Sequence, residues 1–213
     1  NIIIVNVDDM AGGQHFGFEG RDCITPTLDA LVTNGIRFSQ AFAASTVCGP
    51  SRYSLMTGRW ASRNTSANFL SDYPPGTLGR FAVSDTELEA DGQNLGAWLR
   101  QAGYRTGMVG KGHLTDDDLS QTANWPSKGL LTYPQTADPK TDANTNGKMR
   151  HNHRVLCQRM RDFGFDYVES YYKANLAELR NDDLNVHNQE WITKGALDFI
   201  EEAILTEQLS QSS

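Results

Sequence analysis

Two apolar runs constrain how this chain can fold, because each stops abruptly at a cluster of charged residues. The first, Asn1–Val7, reads as a buried strand and ends at Asp8-Asp9. The second, Tyr104–Val109, reads the same way and ends at Gly110-Lys111-Gly112-His113-Leu114. Short, nearly continuous apolar runs suit strands covered on both faces. Helical patterns lie between them. Thr25 can cap a helix, Pro26 suits its first turn, Leu28, Leu31 and Val32 share one face, and Gly35 ends it. Ile36–Phe42 alternates with period two, as a half-buried strand does. A short helix is expected from Pro50 to Thr57, stopping at Gly58, and another over Asn94–Ala102, with Leu95, Trp98 and Leu99 apolar. Strand, helix and strand in this order predict an α/β fold: a mostly parallel central sheet with helices on both faces.

The remainder reads as loops and one further helix. Residues 60–91, centred on Pro74-Pro75-Gly76, and residues 115–150, rich in Asp, Thr, Asn, Pro and Gly, are expected to be variable loops that shape a surface or cleft. Trp191–Leu205 is amphipathic, with Ile192, Ala196, Leu197, Ile200 and Ile204 apolar. No apolar run reaches the length of a membrane span. A net charge of −7 argues against a nucleic-acid partner held on a basic face. An anionic substrate remains compatible, since a few local cations override a global field. The three cysteines, Cys23, Cys48 and Cys157, are odd in number and match no zinc-finger spacing. Free structural thiols are the plainer reading of Cys23 and Cys157, with a disulfide between them the alternative in an exported protein.

Four clusters carry side chains able to do chemistry. Asp8-Asp9 sits just beyond a strand end, where ligands of parallel α/β sheets bind. Adjacent carboxylates there suit a hard cation such as Ca²⁺ or Mg²⁺, or else a solvated turn. In Cys48-Gly49-Pro50-Ser51-Arg52, Pro50 fits the first helical position. Cys48 is therefore expected just before a helix N-terminus, where free N–H groups favour an anion. Arg52, one turn in, offers a fork of donors to an oxyanion. The cysteine phosphatase loop is excluded, because the position six after Cys48 is Ser54 rather than Arg. Lys111 and His113 alternate along an extended segment, so both can face one side and supply a cation and a titratable imidazole. The phosphate-binding P-loop is excluded too: Arg105 stands where its first Gly belongs, and Gly112 where its Ser or Thr belongs. His151-Asn152-His153 has the look of a metal pair but lies in a polar stretch beside Arg150 and Arg154, and is read as a solvated turn.

Together these clusters resemble the sulfatase family of the alkaline phosphatase superfamily. The family signature, Cys or Ser, any residue, Pro-Ser-Arg and then Thr-Gly-Arg, is met by Cys48-Gly49-Pro50-Ser51-Arg52 and Thr57-Gly58-Arg59. Asn1–Asp9, Thr25–Phe42, Gly103–Leu114 and Gly164-Phe165-Asp166-Tyr167 resemble further family elements. The resemblance implies an alkaline phosphatase-like fold in which Asp8, Asp9 and the residue at Cys48 ligate a divalent metal, usually Ca²⁺. It implies that Cys48 is oxidised to formylglycine by a formylglycine-generating enzyme, and that the hydrate attacks the sulfur of a sulfated small molecule or glycan and later expels sulfate. Arg52 would steady that hydrate, Lys111 would bind sulfate, and His113 would orient the nucleophile or relay its protons. A periplasmic, secreted or lysosomal location follows from the same resemblance, and Asn64-Thr65-Ser66 is a glycosylation sequon with meaning in a eukaryotic secretory host.

Two departures from the family pattern matter. The position of Gly112 commonly carries a bulky residue, often Trp, so Gly112 is expected to open the pocket. The family's later metal motif, and its later Lys and His, are absent. Residues 1–213 are therefore expected to form the N-terminal portion of a larger catalytic domain. Two other functions fit the same residues: a phosphonate or phosphate ester hydrolase sharing the formylglycine signature, and a non-catalytic homologue that binds sulfated glycans through Arg52 and Lys111.

Overall fold

The computed structural model describes residues 1–10, 16–20, 22–77, 86–115, 122–134, 136–173 and 188–211. Parts of both expected loops, 78–85, 116–121 and 135, lie outside the described residues. The regular elements are α1 (Pro26–Asn34), α2 (Cys48–Thr57), α3 (Ala67–Asp72), α4 (Leu95–Gln101), β1 (Gly107–Lys111), α5 (Ala143–Asp162), β2 (Tyr167–Tyr172) and α6 (Asn188–Gln211), with short 3-10 turns between them. None of the described helices is long and apolar enough to cross a membrane.

The sheet among the described residues is one parallel pair, β1 beside β2. Gly107 pairs with Tyr167 and Met108 with Val168; the register then slips, and Gly110 pairs with Tyr171. Two β2 residues, Glu169 and Ser170, thus face Val109 alone. Ser170 takes the slack with φ of 48°, as the extra residue of a bulge does. Met108, Val168 and Tyr171 join one buried cluster with Leu156 and Met160 of α5. On Gly107 and Val109 lies α6. A side chain at Gly107 would start 2.7 Å from the Phe199 ring, so only glycine lets the helix settle there.

Asn1–Val7 and Ile36–Phe42 form no strand here. Both segments are exposed, with Ile3 74 %, Val5 81 % and Phe42 89 % accessible. A strand exists only through a neighbour that accepts its N–H and C=O groups, and no neighbour is paired with either segment among the described residues. The expected buried strand at 1–7 and half-buried strand at 36–42 are therefore not formed, and their apolar residues are exposed among the described residues. The two-stranded sheet is accordingly a partial version of the expected α/β layer.

Several helix boundaries differ from expectation. The second strand begins at Gly107 and runs to Lys111, so Lys111 is its last residue rather than a residue beyond it. Residues 60–91 contain a 3-10 turn and α3, capped by the Ser66 hydroxyl. The largest difference is α5, twenty residues long, which begins inside the expected 115–150 loop and includes the expected His151-Asn152-His153 turn. Asn, Thr and Gly near its start have low helix propensity. The Asp142 carboxylate starts the helix by accepting from the Asn144 and Thr145 N–H groups at 3.0 and 3.2 Å. Thr145, Met149, Asn152, Leu156 and Met160 then repeat at helical spacing on its buried face. Asn152 belongs there because its amide pairs with both backbone groups of Leu131, at 2.7 and 2.9 Å. Along α6 the packing face is turned from the expected one: Ile192, Gly195 and Phe199 meet the sheet, while Leu197, Ile200 and Ile204 are exposed.

Candidate active site

The signature segment forms α2, and its parts hold that helix at both ends. Val47 is the N-cap, so Cys48 is the first helical residue and Pro50 the third, two positions further in than expected. Proline is tolerated there because the first-turn N–H groups have no partner within the helix. At the other end Gly58 closes the helix with φ of 66°, donating its N–H to Ser54 O at 2.9 Å. The Thr57 hydroxyl donates to Tyr53 O at 2.8 Å and accepts from Arg59 N. Arg59 reaches Asp91 at 2.9 Å and Glu89 at 3.6 Å. Tyr53, fully buried, donates its hydroxyl to Glu89. Burial and the Glu89 carboxylate together push that phenol up to about 12. The Thr-Gly-Arg half of the signature is thus an anchor for the helix that carries Cys48 and Arg52.

The structure brings Asp8, Cys48, Arg52, Lys111 and His113 into one network. His113 Nδ1 lies 3.2 Å from Cys48 Sγ. Arg52 donates through Nη1 to Lys111 O at 2.6 Å and through Nη2 to Asp8 Oδ1 at 3.1 Å. Lys111 Nζ donates to Asp8 Oδ2 at 2.7 Å. Burial alone would raise the Asp8 carboxyl, but the hydrogen bonds and charges of Lys111 and Arg52 outweigh it and hold it below the usual range. For Lys111, burial works against the charge, and the bond to Asp8 prevails, keeping the ammonium above its usual range. Two non-glycine residues at this site, Asp9 and His113, adopt left-handed φ of 54° and 58°. Such conformations cost free energy and often mark functional sites. Arg52 Nε is buried and has no hydrogen-bond acceptor among the described residues.

A divalent metal at Asp8-Asp9 fits by chemistry, since carboxylate oxygens suit a hard cation. Two carboxylates are only part of a shell, because Ca²⁺ takes six to eight oxygens. Both Asp8 oxygens are engaged by cationic side chains, and Asp8, Asp9 and Cys48 do not converge as a ligand cluster among the described residues. The cluster that does converge is His153, Cys157 and Glu169. His151 has its Nε2 2.9 Å from Gly129 O.

Three features were not foreseen. Gly112 does not open the pocket: a Cβ there would start 2.2 Å from the Tyr171 ring and hydroxyl, so Tyr171 of β2 fills the space of a bulky residue. The Thr86 hydroxyl is buried beside Gly49 with no hydrogen-bond partner among the described residues. Asn64 of the sequon is fully buried and donates to Glu87 O at 2.7 Å, which removes it from glycosylation in this fold. Each is a long-range contact with no local sequence signal. Cys23 and Cys157 form no disulfide in this structure.

The sulfatase family model matches residues 1–203. Human steryl-sulfatase is 33 % identical over 114 residues, which is 54 % of this chain and 19 % of that protein. Canine arylsulfatase G is 37 % identical over 115 residues, 54 % of this chain and 19 % of the relative. Human arylsulfatase H is 31 % identical over 114 residues, with 54 % and 20 % covered. The chain spans about a fifth of the length of the curated relatives it matches. With the family model covering nearly all of its residues, this chain belongs to the sulfatase family.

Proposed function

We propose that the protein to which this chain contributes hydrolyses sulfate esters at the cluster of Asp8, Asp9, Cys48, Arg52, Lys111 and His113. The observation that carries this reading is the 3.2 Å contact between Cys48 Sγ and His113 Nδ1, one helical turn from Arg52. It pairs a nucleophile position with a group able to hold or move a proton at that atom. Arg52, whose guanidinium also reaches Asp8, supplies positive charge where negative charge develops. Lys111 adds a cation beside it, and Asp8 fixes the direction of both by taking one bond from each.

Formylglycine made from Cys48 by a formylglycine-generating enzyme would supply a hydrated aldehyde as the nucleophile. Asp8 and Asp9 would hold a divalent cation, Ca²⁺ being the expected one, that offsets charge on the sulfuryl group. Each Asp8 oxygen accepts one hydrogen bond, from Arg52 or Lys111, and keeps a second lone pair for such a cation. The named relatives are a steryl-sulfatase and an arylsulfatase, which supports a sulfated molecule as substrate, a sulfated small molecule or glycan being the class expected from the sequence.

Residues 1–213 are proposed to be one portion of a larger catalytic domain. The exposed apolar residues of 1–7 and 36–42 support this, since they are a surface that further strands would cover.

The test is made on the full-length protein. The intact mass of the Cys48 peptide reports formylglycine, which is lighter than cysteine, and turnover of an aryl sulfate is compared with that of an aryl phosphonate. Formylglycine with preferred sulfate turnover is the expected result. Preferred phosphonate turnover points to the related hydrolase, and an unmodified Cys48 with sulfated-glycan binding but no turnover points to a non-catalytic homologue.

A further inference from the structure

We propose that His153, Cys157 and Glu169 form a metal site separate from the Asp8-Asp9 carboxylates, one that takes a borderline-soft divalent cation such as Zn²⁺. Its imidazole, thiol and carboxylate are the donor types such an ion selects, where Ca²⁺ selects oxygens alone. The three ligand atoms all lie within 4.8 Å of one another.

The geometry is built by both elements. His153 and Cys157 stand four residues apart on α5, hence on one face. Cys157 Sγ is 3.4 Å from His153 Nε2 and 4.0 Å from Nδ1. A tetrahedral ion with Zn–S of about 2.3 Å and Zn–N of about 2.0 Å sets sulfur and nitrogen about 3.5 Å apart, which is the Nε2 spacing. A simple thiol–imidazole hydrogen bond would give a similar distance but would not need a carboxylate. Glu169 arrives from β2 at the bulge, where Ser170 adopts φ of 48° and its hydroxyl donates to Trp191 O at 2.9 Å. That extra residue lets Val168 and Tyr171 both stay in the core while Glu169 meets α5.

The surroundings match those of a ligand shell. The Trp191 ring packs against His153, centroids 5.5 Å apart, and limits the tilt of the imidazole. Arg161 donates to Glu169 Oε1 at 2.8 Å and to Val168 O at 2.7 Å, orienting the carboxylate, one oxygen of which lies within 4.8 Å of the other two ligand atoms. Cys157 is buried, whereas the Glu169 side chain is 49 % accessible. An ion can therefore enter from the Glu169 side, and water completes the fourth position. On binding, the Cys157 thiol loses its proton to solvent and the sulfur–metal bond forms. The bound ion would fasten α5 to β2.

Co²⁺ titration of the full-length protein tests this, read by the sulfur-to-cobalt charge-transfer absorption and by its loss when Zn²⁺ is added. The band is expected in the wild type and in Cys48→Ala, and absent in Cys157→Ala. Glu169→Gln alters a half-exposed side chain and should keep the fold while weakening Co²⁺ binding about 10- to 100-fold. No band with cobalt in large excess, a band that survives Cys157→Ala, or unchanged affinity in Glu169→Gln would each overturn the proposal. None of these outcomes bears on sulfate ester turnover, so the two readings fail separately.

Discussion

Replacing Gly112 with alanine tests the packing behind the candidate site. The added methyl would lie 2.2 Å from both Tyr171 Cε2 and the Tyr171 hydroxyl oxygen, and 2.4 Å from Cζ. Ordinary carbon contacts are about 3.5–4.0 Å, so the overlap exceeds an ångström. The Tyr171 ring is fully buried and cannot swing into solvent. Gly112 N is tied to Tyr172 O at 2.9 Å, so the backbone cannot retreat without breaking a bond. Overpacking of this kind costs about 1–3 kcal/mol, and this overlap belongs near the upper end. A loss of about 3 kcal/mol is a roughly 150-fold fall in the folding equilibrium. Denaturant unfolding of Gly112→Ala, Tyr171→Ala and the double variant reads it. Tyr171→Ala alone should cost about 3–5 kcal/mol. The double variant should be more stable than the sum of the singles predicts, by roughly 1–3 kcal/mol. Gly112 also lies between Lys111 and His113, so a shift near an ångström should lower kcat on an aryl sulfate about 100-fold. Stability of Gly112→Ala within about 0.5 kcal/mol of wild type, with additive singles, would refute the claim that Tyr171 fills this space.

Cys48→Ala should abolish aryl sulfate turnover in the full-length protein and leave far-UV circular dichroism unchanged; turnover at wild-type rate would remove Cys48 as nucleophile. Asp9→Asn should weaken divalent-cation binding and activity together, because a hard cation needs charged oxygens; full activity after exhaustive chelation would contradict a metal there. Asn152→Ala removes two hydrogen bonds to the Leu131 backbone and should destabilise by roughly 1–3 kcal/mol in denaturant unfolding, whereas a change under about 0.5 kcal/mol would show those groups are satisfied otherwise. Tyr53, with its phenol pushed up to about 12 against an ordinary 10.0, holds its proton more tightly when folded. Its contribution to stability is therefore fully present below pH 10.0 and declines as pH rises toward about 12. Unfolding profiles of wild type and Tyr53→Phe should diverge in slope across that window, and parallel profiles would show that Tyr53 is not the titrating group.

The residues of the candidate site were legible because their positions follow from local rules. The Cys48–Arg59 signature needs only a helix start, a helix stop at Gly58 and one turn between Cys48 and Arg52, all matters of near-neighbour backbone geometry. The apolar segment before Lys111 was legible for the same reason, and so was α6 as a helix. The 143–162 helix was not, because its first turns are poor helix formers and its stability comes from burying Met149, Leu156 and Met160 against the rest of the chain. Asn1–Val7 failed in the opposite direction: the pattern announced a strand, but strand formation depends on a partner that its own residues do not encode.

The sequence by itself determined the chemistry available to this protein: a signature cysteine, two adjacent carboxylates, and the cations Arg52 and Lys111 with His113. Helix caps, periodicity and motif spacing are short-range, and a linear chain carries them intact. Tertiary structure alone decided which groups meet. It set the Asp8 carboxylate between Lys111 and Arg52 across more than forty residues of sequence, and seated Tyr171 in the space left by Gly112. It also brought Glu169 from a strand bulge to His153 and Cys157 on a helix that the sequence did not announce. Contacts of that kind depend on side-chain volume and backbone register summed over the whole packed core, and no local pattern carries that information.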